Sequence, residues 1–384
     1  MGMSPQHVGT GRKRVCHLTS VHVPFDTRIF HRECKSLAEA GYEVHLIAGH
    51  DRDEIIDGIH VHAVPRITNK VERMLRIPAA VYRKALAGEY DLYHFHDPEL
   101  IPVGLLLKAR GKKVVYDAHE DYPVYFACRE TFPRVLRKPL AWAIDKIECF
   151  TGGRFDAAVA PTPTIFERFA LLNPRTTLVH NYPSLDTLSP DESTVPWETR
   201  GDVFVYVGSL TMDRGIREMV RAAGLMQEKV PARMLLAGDF VSLSDEESIK
   251  NMPEFRFVDY PGHTTRDETM RLYSRAKVGV VICHPHAHYQ LAYPTKLFEY
   301  MSAGLPVVAS HFPLWRDIIE EVGCGLTVDP LNPEALAEAV ARLLLDEDEA
   351  REMGARGKEA VIRRYNWESE KQALVHLYDQ LVGS

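Results

Sequence analysis

Pro294-Thr295-Lys296-Leu297-Phe298-Glu299-Tyr300-Met301-Ser302-Ala303-Gly304 runs directly into Leu305-Pro306-Val307-Val308. A proline start, a glycine stop and an apolar run immediately after read as a short helix feeding a buried strand. Such a helix presents free backbone N–H groups and the positive end of its dipole, which suits a phosphate. Lys296 adds a cation on the first turn. Glu299, one turn further on, can accept two hydroxyl hydrogen bonds, as a ribose would offer. Diphosphate and ribose together point to a nucleotide-sugar, with Thr295, Lys296, Leu297 and Glu299 as its candidate contacts.

The same alternation extends in both directions from this stretch. Before it come an apolar strand Val203–Val207 closed by Gly208, a helix from Ile216 to about Met226, and a strand Met234–Ala237 backed by Gly238-Asp239. A strand Phe255–Val258, a helix Asp267–Ala276 and a strand Val278–Ile282 follow, and Pro306–Ala309 is the strand after the opening helix. Helices at Pro333–Leu345 and Glu347–Arg364, and one beginning near Trp367, close the chain. Nearer the N-terminus, strand Arg14–Leu18, a helix with Ile29, Phe30, Cys34, Leu37 and Ala38 on one face, and strand Val44–Ala48 make a βαβ unit. Strands Ile59–Val64, Leu92–Phe95, Val114–Tyr116 and Ala157–Ala160 continue it, with helices at Pro98–Arg110 and Pro139–Phe150.

Two runs of strands and helices in 384 residues predict an α/β protein of two Rossmann-like domains facing across a cleft. The expected boundaries are 1–183 and 201–366. A Pro-, Ser-, Asp- and Thr-rich linker lies at 184–200, and a final helix at about 367–384 packs back on the first domain. Parallel sheets bind ligands at the carboxyl ends of their strands. Asp26, His96, Asp97, Asp117, His119 and Glu120 in the first half, and Gly208, Ser209, Gly238 and Asp239 in the second, fall there.

Each of these side chains also has a structural reading. His119 can serve an acceptor hydroxyl or a donor sugar, or bond a neighbouring backbone group. Asp26 and Asp97 each stand where they could cap a helix. Arg28 is a cation at a helix start, against the dipole, and so calls for an anion nearby. His284, His286 and His288 alternate after a strand in a pattern able to bind metal; a donor-loop or surface role is the expectation, and no metal is expected.

Composition bounds the possibilities. With 45% hydrophobic and 26% charged residues the chain has the make-up of a soluble globular protein. Apolar runs such as Val103–Leu107, interrupted by Gly104, are far too short to span a bilayer. The polar, basic start Met1–Arg14 has no apolar segment of the kind that directs secretion. Six cysteines are scattered without a CxxC pair, as expected of reduced cytoplasmic thiols. Lys and Arg outnumber Asp and Glu 25 to 21 up to residue 185, and are outnumbered 21 to 32 beyond it. That mildly basic first half leaves room for anionic substrates or a membrane surface, and gives no sign of nucleic-acid binding. Lys70-Val71-Glu72-Arg73-Met74-Leu75-Arg76, with Arg83-Lys84, reads as an amphipathic surface helix or as a peripheral membrane contact on the inner face.

Taken together, these pieces resemble a family 4 retaining glycosyltransferase of the GT-B fold, over nearly the whole chain. Tyr206-Val207-Gly208-Ser209-Leu210 with Arg214-Gly215 is similar to the family's strand, loop and helix for the donor diphosphate. Leu236-Ala237-Gly238-Asp239 is similar to its next loop, and Val258-Asp259-Tyr260-Pro261-Gly262 to its segment near the nucleobase. Pro294–Val308 resembles its ribose and phosphate helix. Gly323-Cys324-Gly325-Leu326 with Asp329-Pro330 resembles the following turn, and Asn181-Tyr182-Pro183 the domain-junction marker. The sequence departs from the pattern in three places. Leu291 stands where the family often has the first of two glutamates, the second being Glu299. Ser209 and Arg214 replace an arginine and a lysine, and Arg214 keeps a phosphate clamp. Val23-Pro24-Phe25-Asp26-Thr27-Arg28 replaces a glycine pair.

The resemblance implies transfer of a sugar from a nucleotide-diphosphate sugar to an acceptor hydroxyl, with retention, in glycan, polysaccharide or glycoconjugate biosynthesis. The donor belongs on Gly208, Ser209, Arg214, Gly238, Asp239, Pro261, Gly262, Thr295, Lys296, Leu297 and Glu299. The acceptor side comprises Asp26, Arg28, His96, Asp97, His119 and Glu120. Arg214, Lys296, Glu299 and His119 are expected to carry catalysis without a metal or other cofactor. The acceptor is a glycan, a lipid-linked saccharide or a small molecule. A nucleotide-sugar 2-epimerase of the same architecture and a non-catalytic nucleotide-sugar-binding protein are the alternatives; the second is prompted by Leu291.

Overall fold

The computed structural model describes residues 11–67, 69–128, 132–185 and 195–383. The first ten residues and much of the expected linker lie outside the described residues, as do the side chains of Lys70 and Val71. The chain divides into two compact units, Met1–His180 with Glu370–Ser384, and Asn181–Ser369.

The first unit is built on eight strands: β1 (Arg14–Leu18), β2 (Glu43–Gly49), β3 (Glu54–Ile56), β4 (Ile59–Val64), β5 (Leu92–Phe95), β6 (Lys113–Asp117), β7 (Ala157–Ala160) and β8 (Thr176–Leu178). Their order is β3-β4-β2-β1-β5-β6-β7-β8, parallel except for the β3–β4 hairpin. The chain winds outward from β1 in one direction and then, from β5, in the other. The crevice at the β1/β5 carboxyl ends is therefore the topological switch point. The last helix, Trp367–Val382, contributes buried Leu374, Leu377, Tyr378 and Leu381, and Asp379 accepts a 2.5 Å hydrogen bond from the Tyr42 hydroxyl of this unit.

The second unit carries β9 (Val203–Val207), β10 (Arg233–Ala237), β11 (Val258–Gly262), β12 (Val278–Val281), β13 (Val307–Ser310) and β14 (Gly325–Val328). The order β11-β10-β9-β12-β13-β14 is all parallel, with its switch point between β9 and β12. Strands such as Phe204-Val205-Tyr206-Val207 are buried on both faces, which is why they appear as unbroken apolar runs.

Three local features differ from expectation. The segment Phe255–Val258 is not a strand. Pro253 starts a 3-10 turn, Pro253–Phe257, and β11 begins only at Val258. Phe255 and Phe257 are apolar because they pack on the core from that turn. The helix expected at Pro139 starts five residues earlier, at Arg134, with Pro139 inside its second turn. The first helix opens as a π turn, Ile29–Cys34, in which Glu33 N–H donates to Arg28 C=O at 2.9 Å. Such turns are frequent at functional sites, and this one brings Arg28 and Glu33 to the sheet.

Candidate active site

In the second unit the loops after β9, β10 and β11 lock together through the backbone. Gly208 N–H donates to Ala237 C=O at 3.0 Å, Gly238 N–H to Gly262 C=O at 2.8 Å, and Leu210 N–H to Asp239 C=O at 2.9 Å. A Cβ on Gly238, at φ +129°, would lie 1.9 Å from the Gly208 carbonyl oxygen. This close approach admits only glycine. Gly208, Ser209, Gly238, Asp239, Pro261 and Gly262 are thereby gathered on one edge of the sheet.

Arg214 reaches that edge from the turn before the helix Ile216–Leu225. Its Nη1 lies 3.6 Å from where a Gly208 Cβ would stand. Burial opposes the Arg214 charge, but the Tyr206 and Tyr289 hydroxyls beside it more than compensate. Gly215 caps the helix at φ +62°, against Ile282.

The helix expected at Pro294 spans Thr295–Ser302, and its end explains the glycine. Gly304 sits at φ +70°, Leu305 N–H donates to Tyr300 C=O at 2.9 Å and Gly304 N–H to Met301 C=O at 3.0 Å. This is a Schellman stop. Tyr300 packs into the space left by Gly279 on β12, and its hydroxyl accepts from Val207 N–H on β9 at 3.4 Å. The helix is thus fixed beside the β9/β12 switch point. On it, Glu299 Oε2 accepts from the Lys296 ammonium and from the Tyr273 hydroxyl, each at 2.8 Å. Lys296 and Glu299, expected to face different parts of a ligand, are ion-paired here. Tyr273 is a participant that sequence reasoning missed. It occupies the buried face of the helix Arg266–Arg275 and looks like ordinary core.

In the first unit β1, β5 and β6 place His17, His94, His96 and Asp117 side by side, all fully buried. Arg28 spans Asp117 with two bonds, Nε to Oδ2 at 3.0 Å and Nη2 to Oδ1 at 3.2 Å. Its Nε also lies 2.9 Å from Glu33, and Nη1 donates to the Val179 carbonyl at 2.9 Å. The anion that the misplaced cation called for is therefore supplied by the protein itself. His119 Nε2 lies 3.0 Å from the same Asp117 oxygen and 3.0 Å from His96 Nδ1.

Asp97 stands at the N-cap of the turn Pro98–Leu100, but its side chain does not cap it. It accepts from the Thr19 hydroxyl at 2.8 Å and from Ser20 N–H at 2.6 Å, holding the loop after β1. Asp26 does cap, accepting from Arg28 N–H at 2.8 Å and Ile29 N–H at 3.0 Å. His22, also missed, bridges Asp26 at 3.4 Å and Asp97 at 3.5 Å. Glu120 is exposed at the rim of this group.

A hydrogen-bond chain orders the buried rings. His96 Nδ1 faces Asp117 at 3.3 Å and its Nε2 meets His17 Nδ1 at 2.9 Å. His17 Nε2 meets the Tyr378 hydroxyl at 3.1 Å, and Tyr378 meets His94 Nδ1 at 2.7 Å. One set of neutral tautomers satisfies these four links, with the His96 Nδ1–H and the His119 Nε2–H both directed at Asp117. Accordingly, burial brings His96 down to about 4 against the pull of Asp117, and holds His17 and His94 well below the ordinary imidazole value.

Among the described residues four groups have the ligand types and proximity a metal would need: His17, Glu33, His94 and His96; Glu43, His45 and His60; His96, Asp117 and His119; and Asp213, His284 and His286. The chain just described already uses the first three imidazoles. In the last group His284 also lies 3.2 Å from Glu218, while His288 packs at a tilt against Tyr289 with ring centres 4.0 Å apart.

Two doubly wound α/β units, one with a phosphate-suited loop and helix at its switch point, define the GT-B class. Residues 27–183 match the model for Glycosyltransferase Family 4, and residues 191–360 match that for Glycosyl transferases group 1. The chain belongs to the GT-B glycosyltransferases of these groups. An uncharacterized glycosyltransferase of Methanocaldococcus jannaschii is 28% identical over 177 residues, 46% of this chain and 44% of that protein. The chain spans less than half the length of the first curated relatives it matches. In fold it is similar to sucrose-phosphate synthase from Thermosynechococcus elongatus, with a TM-score of 0.77 at 21% identity over 97% of this chain and 100% of that one. It is similar also to Anabaena HepE, solved with UDP-glucose, with a TM-score of 0.71 at 14% identity over 96% and 99%.

Proposed function

We propose that this protein transfers a sugar from a nucleoside-diphosphate sugar to an acceptor hydroxyl, with retention at the anomeric carbon. The observation that carries the reading is the gathering of the Gly208-Ser209 loop, Arg214 and the start of the helix Thr295–Ser302 at the second unit's switch point. HepE, alike in fold, holds UDP-glucose, which supports a nucleotide-sugar donor.

In this reading the bond from C1 to the β-phosphate oxygen breaks as the acceptor oxygen bonds to C1 on the same face. The hydroxyl proton passes to the departing phosphate oxygen. Negative charge grows on the diphosphate, where Arg214, Lys296 and the helix amides neutralise it without a metal. Glu299, steadied by Tyr273, takes the ribose hydroxyls.

The first unit is assigned the acceptor. Asp117 faces His119 Nε2, which leaves Nδ1 of the neutral ring as an acceptor for a substrate hydroxyl. Arg28, His96 and Asp97 position that pair and its loop, and Asp26 and Glu120 stand at its edge. A glycan, lipid-linked or small-molecule acceptor on the cytoplasmic side of a membrane fits this arrangement. Among the described residues no helix is long and apolar enough to cross a membrane.

A thermal-shift screen of UDP, GDP, ADP and dTDP sugars tests the reading. A true donor at a hundred times its Kd stabilises by about 2.7 kcal/mol. Release of free sugar from donor alone, with no acceptor product, would replace transfer by epimerisation.

A further inference from the structure

We propose that Asp213, His284 and His286 bind a divalent transition-metal ion of the zinc type, with Glu218 at the edge of the site. One ligand atom from each of the three lies within 4.8 Å of the other two. They come from two loops of the second unit: Asp213 from the turn Met212–Arg214, the histidines from the segment after β12. Backbone bonds join and shape these loops. His284 N–H donates to Asp213 C=O at 2.7 Å, and His286 N–H to His284 C=O at 2.7 Å around Pro285. His286 C=O in turn accepts from Tyr289 N–H at 3.0 Å. The ligands are therefore assembled in advance, and binding an ion costs little further ordering.

The side-chain spacings are those of a coordination shell. In tetrahedral zinc sites, bonds of about 2.0–2.1 Å put neighbouring ligand atoms about 3.3–3.5 Å apart. His286 Nε2 lies 3.4 Å from Asp213 Oδ1, and His284 Nε2 lies 3.2 Å from Glu218 Oε2. Hydrogen bonding does not account for the second pair. Both atoms are shielded from solvent, and neither has a hydrogen-bond partner among the described residues. Polar atoms left in that state call for an ion or a water.

Charge singles out this group among the four. The other three already hold a guanidinium: Arg28 lies on Glu33 and on Asp117, and Arg14 Nε is 2.9 Å from Glu43. No lysine or arginine pairs with Asp213, Glu218, His284 or His286 among the described residues, so the place of a cation is open. Two imidazoles with a carboxylate suit zinc and its neighbours, whereas magnesium and calcium take shells of oxygen. None of the three ligands is assigned to the donor, so charge on the diphosphate is left to Arg214 and Lys296. The ion instead clamps the turn that carries Arg214 to the loop after β12.

Zinc titration of the full chain, purified without a histidine tag and stripped of metal by a chelator, tests this. One zinc per chain is expected, and Co(II) in its place should show the visible bands of a four-coordinate site. His284→Ala/His286→Ala, with unchanged circular dichroism, should weaken zinc binding at least about hundredfold, and Glu218→Gln about tenfold. Zinc should raise the thermal midpoint of the wild type and not that of the double variant. The proposal is overturned if the wild type binds no zinc. It is overturned also if the double variant binds zinc like the wild type, which would place the ion in another of the four groups. Should the double variant not fold, Asp213→Asn decides, and an unchanged zinc affinity there sinks the site. Binding is scored without donor or acceptor, so its failure leaves the transferase reading untouched.

Discussion

Arg28 and Asp117 are 89 positions apart in the chain yet meet through two parallel hydrogen bonds, at 3.0 and 3.2 Å, with both side chains buried. The pair sits at the switch point of the first sheet and carries Glu33 on one side and His119 on the other.

Arg28→Ala would leave Asp117 buried without its cation. Breaking one partner of such a pair costs about 3–5 kcal/mol. Urea denaturation should register that loss, and Arg28→Lys should recover only part of it, because an ammonium cannot span both carboxylate oxygens. A midpoint within experimental error of wild type in the alanine variant would show that the pair is not structural.

Gly238 separates a backbone requirement from a chemical one. An alanine there must displace the Gly208 carbonyl 1.9 Å from its Cβ and hold φ +129°. We expect a loss of about 2 kcal/mol or more, together with weaker donor binding, because the Gly208-Ser209 loop moves. Calorimetric titration with the donor identified by thermal shift reads both effects.

On the helix Thr295–Ser302, Glu299→Ala and Lys296→Ala should each lower transfer at least about tenfold while leaving the fold intact. Tyr273→Phe removes one 2.8 Å bond to Glu299 without touching its charge. A smaller, few-fold rise in KM for donor with little change in kcat is expected, since Tyr273 acts only through Glu299. Unchanged rates in both charge variants would refute the donor assignment.

Acid should weaken the first unit. His17, His94 and His96 are neutral in the native state, with His96 brought down to about 4, whereas in the unfolded chain they titrate near 6.5. Below that value the unfolded chain binds more protons, so stability falls as pH drops from about 6.5 towards 4. Glu33 acts in the opposite sense, because burial and then the Asp117 charge push its carboxyl up, and the native form keeps a proton the unfolded chain has lost. The three rings outweigh this single group, and His45, brought down to about 4 by burial, adds to them, so the unfolded chain holds the excess protons near pH 5.5, each net proton worth about 1.4 kcal/mol per pH unit. Denaturant midpoints at about pH 7 and pH 5.5 check this, and equal stability at the two would mean the three rings are not buried neutral.

Much of this protein was legible because its strands are short and doubly buried. Val203–Val207 and Leu92–Phe95 stand out as apolar runs wherever a helix follows. The helix Thr295–Ser302 announced itself by its proline and glycine. Illegible were elements with weak local signals: the three-residue strands β3 and β8, and β14, whose Gly325-Leu326-Thr327-Val328 reads as a turn beside two glycines. Phe255 and Phe257 misled for the opposite reason, since core-facing aromatics need not belong to a strand.

Periodicity of two or of three to four residues, with helix caps and stops, is written in neighbouring residues. It fixed the α/β alternation, the two doubly wound sheets and the loops that end their strands. Which side chains meet at those ends depends on sheet order. β1, β5 and β6 are neighbours only after the chain has wound out and returned, and only then do Arg28, His17, His96, Asp117 and, from the last helix, Tyr378 form one network. Likewise the bond from Tyr273 to Glu299 joins two helices whose own sequences carry no trace of it. Burial made those partnerships obligatory, because a charge or polar group taken out of water must find its complement in whatever the fold places beside it.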